Sequence, residues 1–357
     1  MPNKTIRHAG MVVLLSFYLL CALVDTASAK DLNANIDSED WSIIVLPDTQ
    51  VYSLAFPDVF YSQTKWIVAE KNNLNIKFVL HEGDIVNDNS HPEWLVARRA
   101  LDYLKEADIP FVLAPGNHDV GHWGKATDRS SFLDDYFTYN DYYTYNDYIS
   151  YKKAVSADSW GMFKDTSIAN TWHEFQTPWG AFLILALEFG PSDEVVAWAN
   201  KIVQEHPNNF AVLLTHAYLY SDGTRYNWAD KAGEQYGNPH SYPLAASESV
   251  NDGEQLWEKL VSRHPNFILA LSGHVLDDGV ARLTSLGADN TEVHQILANY
   301  QAGVKPDRGY GGGGFLRIMK FDKDGETLRI STYSPYLDQW LRGPEHEFSI
   351  TIKRERK

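Results

Sequence analysis

Five polar clusters in this 357-residue chain have the composition of a divalent-metal site. They are Pro47-Asp48-Thr49-Gln50, His81-Glu82-Gly83-Asp84, Gly116-Asn117-His118-Asp119, Thr215-His216 and Ser272-Gly273-His274. Carboxylates, amide oxygens and imidazoles suit borderline cations such as Mn, Fe, Zn or Co. The single cysteine, Cys21, lies far from all five clusters, which argues against a structural zinc or iron–sulfur site.

Each cluster follows an apolar run of strand length: 41–46, 76–80, 110–114, 210–214 and 267–271. A sixth run covers 181–187. The runs are continuous rather than alternating, as expected for strands covered on both faces. Helical patterns lie between them. One opens at Pro92 with Glu93 in its first turn, one covers 193–205 and stops at Pro207, and one is capped by Asn251 or Asp252. Strands alternating with helices predict an α/β layered fold. In such folds ligands gather outside the carboxyl ends of the strands, where all five clusters stand. The C-terminal part, 311–357, reads differently. Its runs 315–319, 328–331 and 348–352 are short, alternating and separated by Gly/Asp turns, which predicts antiparallel strands. The glycine run 311–314 reads as a hinge or turn, since no Lys-Ser/Thr and no helix follow it.

Taken together and in order, the clusters resemble the calcineurin-like metallophosphoesterase superfamily, whose pattern is D-x-H, G-D-x-x-[DN], G-N-H-[DE], a lone His, then G-H-x-H. Asp48, Gly83-Asp84, Gly116-Asn117-His118-Asp119, His216 and Gly273-His274 carry the resemblance, from about Trp41 to His274. It implies a four-layer α/β-β-α sandwich with two facing mixed sheets flanked by helices. It also implies two divalent ions bridged by Asp84. Asn117, His216 and His274 complete one site with it, and Asp48 belongs to the other. His118 matches the histidine that protonates the leaving oxygen, with Asp119 orienting its ring. The expected reaction is hydrolysis of phosphate mono- or diesters by a hydroxide bridging the metals. Two positions depart from the pattern. Gln50 replaces the histidine of the first motif, and Leu276 replaces the second histidine of the last. A glutamine oxygen can bind a hard cation and leucine cannot, so the Asp48 site is expected to be the weaker. Water, substrate or His294 could fill the gap, although His294 in the apolar run 293–297 also reads as a core strand residue. The departures keep a second reading open, a non-catalytic phosphate- or glycan-binding relative with a degraded dinuclear site.

Arg225, shortly after His216, reads either as a clamp for a phosphoryl oxygen or as a surface ion pair. The segment 121–160 contains Thr-Tyr-Asn-Asp-Tyr twice, at 138 and 144, and reads as a solvated loop or a tyrosine-bearing lid. A net charge of −16 disfavours duplex nucleic acid and anionic membranes as partners, and leaves a small phosphoester as the expected one. At the N-terminus, Lys4 and Arg7 precede an apolar run from Met11 to Val24, and Ala27-Ser28-Ala29 follows it. This order predicts a signal peptide over 1–29, cleaved to leave Lys30 first, and a periplasmic or secreted domain over 30–357. Leu20 before Cys21 does not fit a lipoprotein signal.

Overall fold

The computed structural model describes residues 40–137, 159–301 and 311–353. Its strands, in chain order, begin with β1 (Trp41–Leu46), β2 (Ile76–His81), β3 (Phe111–Leu113), β4 (Ser159–Lys164) and β5 (Ser167–Thr177). They continue with β6 (Gly180–Leu187), β7 (Phe210–Thr215), β8 (Phe267–Ser272), β9 (Val280–Leu286) and β10 (Glu292–Ala298). The last are β11 (Leu316–Phe321), β12 (Thr327–Ser334), β13 (Gln339–Leu341) and β14 (Phe348–Thr351).

These strands form two mixed sheets. One runs β13-β12-β11-β1-β2-β3, with β14 also on β12; the other runs β4-β5-β6-β7-β8-β10-β9. The strands that precede the polar clusters run parallel to one another: β1, β2 and β3 in the first sheet, β7 and β8 in the second. The C-terminal strands β11 to β14 pair antiparallel, as their alternating pattern predicts. The expected sandwich is therefore present.

Side-chain alternation explains the layers. β1 sends Ile43 and Val45 between the sheets, and Ile44 and Leu46 to the opposite face. β6 does the same with Phe182 and Ile184 against Leu183 and Leu185. Period-two alternation turns an unbroken apolar run into two buried faces, which only a layered fold can cover. The middle layer holds Trp41, stacked on Phe321 with centroids 4.0 Å apart. Helices Pro57–Glu70 and His91–Glu106 cover the first sheet through Phe60, Ile67, Trp94 and Leu101. Helices Asp193–Glu205 and Gly253–Lys259 cover the second through Val195, Ala199 and Leu256. Asp252 starts the last of these with a capping box to Gln255.

The glycine run is a turn: Gly311, Gly312, Gly313 and Gly314 all have positive φ, and Gly314 N–H donates to the Tyr52 hydroxyl at 2.9 Å. Of the segment 121–160, residues 121–137 pack onto the body, with Leu133 and Phe137 buried in the first sheet's outer layer. The Tyr/Asn/Asp repeat and the predicted leader lie outside the described residues. Among the described residues, no helix is long and apolar enough to cross a membrane.

Candidate metal centre

The loops that leave the strand ends are tied to one another by backbone hydrogen bonds. Glu82 N–H donates to Leu46 O, Ala114 N–H to His81 O, Thr49 N–H to Asp84 O and Gly273 N–H to His216 O, at 3.0 to 3.1 Å. The motif glycines permit this crowding. A Cβ on Gly116 would collide with Asp84 Oδ1, and one on Gly273 with Asp48 Oδ1. Asp84 and His274 adopt left-handed backbone, with φ of 47° and 76°. Such strain in non-glycine residues persists only where surrounding structure enforces it.

Asp84, His216 and His274 each offer a ligand atom, and these atoms lie within 4.8 Å of one another. His216 Nδ1–H donates to Glu82 O at 2.8 Å, and His274 Nε2–H donates to Gly237 O at 2.8 Å. Carbonyl acceptors hold the protons on those nitrogens and leave His216 Nε2 and His274 Nδ1 as the ligand atoms that face Asp84. These two nitrogens share a hydrogen bond at 3.1 Å, and His216 Nε2 is 3.2 Å from Asp84 Oδ1. Asn117 adds to the set. Its amide Nδ2 donates to Gly124 O at 2.8 Å, while its buried Oδ1 has no hydrogen-bond partner. A carboxylate, two converging imidazole nitrogens and an orphaned amide oxygen are the donors a borderline divalent cation takes, so the residues fit the implied metal. Phe189, Tyr226 and Tyr242 box in the His274 ring, with centroids 5.5, 5.9 and 6.3 Å from it.

The Asp48 side is built differently. Asp48 accepts from His274 N–H at 3.2 Å and from Asn299 Nδ2 at 2.8 Å. Gln50 is buried and its Oε1 has no partner, so it can serve a cation. Leu276 is 44% exposed and offers nothing.

Burial sets the electrostatics, and charge neighbours redirect it. Burial raises Asp48 to about 7 despite the opposing pull of His216. Burial likewise opposes ionisation of Asp84, but His216 and His118 hold it well below the usual carboxylate range. His216 resists charging by burial and is nonetheless lifted to about 9 by Asp84 and Asp48. Burial, aided by His216, lowers His274 to about 3. One charged and one neutral imidazole beside two carboxylates describe a site in which a proton holds a place that a cation can take.

Two expectations need correction, those for Asp119 and Arg225, and His294 follows the core-strand reading. Asp119 does not orient the His118 ring. Its Oδ1 accepts from Ile85 and Val86 N–H at 2.9 and 3.0 Å, and its Oδ2 from Gly116 N–H at 2.8 Å. Three converging backbone donors satisfy the carboxylate and make it the clasp between two site loops. The His118 ring instead donates from Nδ1 to Asn87 O, and His118 N–H donates to Asp84 Oδ1 at 2.9 Å. Arg225 is not free to clamp a phosphoryl group. It is bidentate to Glu254 at 2.8 and 3.0 Å, reaches Ser285 and Gln295, and lies over the Trp257 ring. His294 does not fill the Asp48 side. It pairs in register with Leu269, four residues before Gly273, so it sits about 13 Å along the strand from the site, and Thr284 occupies its Nδ1.

Asn299 is the side chain that the sequence reading passed over. It follows β10 as the other site residues follow their strands, a polar residue ending an apolar run. The carbonyls of Glu82, Asn87 and Gly237 could not be found from residue types, because every residue carries one.

Similarity to known proteins agrees with this geometry. Uncharacterized protein YvnB of Bacillus subtilis (strain 168) is 30% identical over 336 residues, 87% of this chain and 22% of that protein. Purple acid phosphatase PPD1 from yellow lupin (Lupinus luteus) seeds shares the fold, with a TM-score of 0.50 and 14% identity over 88% of this chain and 54% of that one. Haemophilus influenzae NAD nucleotidase (NadN) aligns at a TM-score of 0.40 and 11% identity, over 88% of this chain and 49% of that one. The chain thus spans about a fifth of the Bacillus protein and about half of each of those two structures. A family profile described as Calcineurin-like phosphoesterase matches residues 42–278. That stretch opens within β1 and closes just past His274, so it contains the strand ends that supply Asp48, Asp84, Asn117, His216 and His274. The chain belongs to the calcineurin-like phosphoesterase family, hydrolases that act on phosphoester bonds.

Proposed function

We propose that this chain is an exported, metal-dependent phosphoesterase that hydrolyses small phosphate mono- or diesters. The observation that carries the reading is the pair of imidazole nitrogens, 3.1 Å apart, that converge beside the Asp84 carboxylate. Asp84, Asn117, His216 and His274 would hold one divalent ion, and Asp48 and Gln50, with Asp84, a second. Bound there, such ions supply Lewis acidity to phosphoryl oxygens and acidify water that attacks phosphorus.

The chain's own residues do the rest. Glu82 O and Gly237 O fix the imidazole tautomers, so both ligand nitrogens are preset. Asp119 clamps the Asp84 and Asn117 loops at a fixed spacing through three backbone N–H groups. His118 gives Nδ1–H to Asn87 O, which leaves Nε2 as the atom that can hand a proton to the leaving oxygen.

The test is to strip the purified protein of metal, restore Mn, Fe, Zn or Co, and assay p-nitrophenyl phosphate and bis(p-nitrophenyl) phosphate. Turnover should require metal, and metal analysis should find up to two ions per chain. Absence of turnover with every ion would favour the second reading, a phosphate- or glycan-binding relative, for which the exposed Leu276 and the Gln50 replacement speak. That relative should bind metal and phosphate without hydrolysis. Export has its own check: N-terminal sequencing of protein recovered outside the cytoplasm should begin at Lys30, and retained Met1 would refute a cleaved leader.

A further inference from the structure

Two exposed aromatic side chains stand beside the metal centre, and the hydrolytic chemistry does not use them. Trp123 is 74% exposed and Tyr236 is 87% exposed, the highest values among the large hydrophobic side chains of the described residues. Each immediately precedes a glycine that touches a site residue. Gly124, after Trp123, lies against the His118 ring, and its carbonyl accepts from Asn117 Nδ2. Gly237, after Tyr236, accepts from His274 Nε2 through its carbonyl. The backbone that carries Trp123 therefore borders the His118 and Asn117 side of the centre, and the backbone that carries Tyr236 borders the His274 side.

Both backbones are anchored. Trp123 has a φ of 58°, an outlier for so bulky a residue, and its N–H donates to Asp88 Oδ1 at 2.8 Å. Tyr236 O accepts from the Tyr226 hydroxyl at 2.8 Å, and its neighbour Gln235 is buried and hydrogen-bonded to Thr224 and Arg225. Anchored backbone that presents large rings to water beside a site forgoes apolar burial, and such exposed apolar surface can serve recognition. The rim also disfavours a second anionic group, because Asp88 stands beside Trp123 and the chain carries a net charge of −16.

We infer that Trp123 and Tyr236 grip a planar aromatic group carried by the phosphoester, the kind of group found in an aryl alcohol or a nucleoside. This rests on the phosphoesterase reading and narrows its substrate class. Stacking on an aromatic side chain is sequence-tolerant and depends on a flat π-face, so a saturated ring of equal size is held less well.

The experiment uses the full, metal-loaded protein and two matched substrate pairs. Benzyl phosphate against cyclohexylmethyl phosphate tests an aryl group; uridine 5′-phosphate against ribose 5-phosphate tests a nucleobase. Wild-type kcat/KM should favour the aromatic member of at least one pair by about ten-fold. Trp123→Ala/Tyr236→Ala should erase that preference through KM, with metal content retained. Leu286→Ala, an exposed apolar change on the distant edge strand β9, should keep it. A response confined to one pair identifies the source of the ring. Equal rates within both pairs, or a preference that survives the double variant, overturns the inference. Calorimetric binding of phenylphosphonate against cyclohexylphosphonate keeps the two readings separate. If no ester is turned over, the phosphoesterase reading fails, and the aromatic grip still stands or falls on whether phenylphosphonate binds tighter.

Discussion

The two halves of the proposed centre, which would share Asp84, differ in how their side chains are held. On one side, backbone carbonyls hold one ring nitrogen of His216 and of His274 and aim the other at the site, while Asn117 keeps an unpartnered oxygen. On the other side, Asp48 already accepts from Asn299 and from His274 N–H, its neighbour Gln50 contributes an amide oxygen, and Leu276 contributes nothing. Imidazole binds borderline metals more strongly than an amide does, so the first half should hold its ion more tightly. The difference teaches that a replaced ligand is only part of what weakens a site. The hydrogen bonds that aim the remaining ligands matter as much.

The comparison breaks most completely at the residue common to both halves. Asp84→Asn removes the charge between the two positions, and activity should fall to background. Metal should also cease to stabilise the fold, a loss of about 2.7 kcal/mol at a metal concentration 100-fold above Kd. Thermal melts with and without metal check this, and a variant that still melts higher with metal would show that Asp84 is not the shared ligand. The next largest effect falls on His118, which lies beside the metals without being assigned to either. His118→Ala should cost roughly 10²–10⁴-fold in kcat with metal content unchanged. The loss should be greatest for alkyl esters and smallest for p-nitrophenyl phosphate, whose leaving group needs little protonation. Metal loss in this variant would make His118 a ligand instead.

Asn299→Ala sharpens the contrast between the halves. It removes the donor to Asp48 Oδ2 and should weaken the Asp48 half by about 10–100-fold in metal affinity. Chelator titration should show a weaker second step and an unmoved first step; if both steps shift together, the halves are not independent. The last effect is absent at neutral pH. His173 is buried on β5 against Phe78, outside the candidate ligand set, and burial lowers it from 6.5 to about 3. The unfolded chain takes a proton as pH falls through 6.5, and the folded chain refuses it until about 3. Its contribution is therefore full above pH 6.5 and declines between 6.5 and 3, by about 5 kcal/mol in all. His173→Gln should flatten the decline in urea midpoint between pH 7 and pH 4. An unchanged slope would place the acid sensitivity elsewhere, and would mean that acid release of metal and unfolding are harder to tell apart.

Much of the strand framework was readable because a strand buried on both faces must be an unbroken apolar run. The runs 41–46 and 76–80, with their polar ends, located both the parallel sheet and the ligands at its edge. Helix Pro57–Glu70 was harder to see, because its buried face includes Gln63 and Thr64. β5 hid for the same reason, with Asn170, Thr171 and His173 buried. Buried polar residues break the apolar period, and only their tertiary partners, such as Glu188 for Asn170, make the burial tolerable.

The sequence by itself determined which atoms could bind metal, and in what order along the chain, because ligand chemistry resides in side-chain type. It determined the family as well, since five ordered motifs are far more specific than any one of them. Tertiary structure alone decided what Asp119, Arg225 and His294 do. Each has the right chemistry for the site, but three backbone N–H groups claim Asp119, Glu254 claims Arg225, and strand register carries His294 away. A charged or hydrogen-bonding group acts on whatever it meets at a few ångströms, and those meetings are set by folding rather than by spacing along the chain.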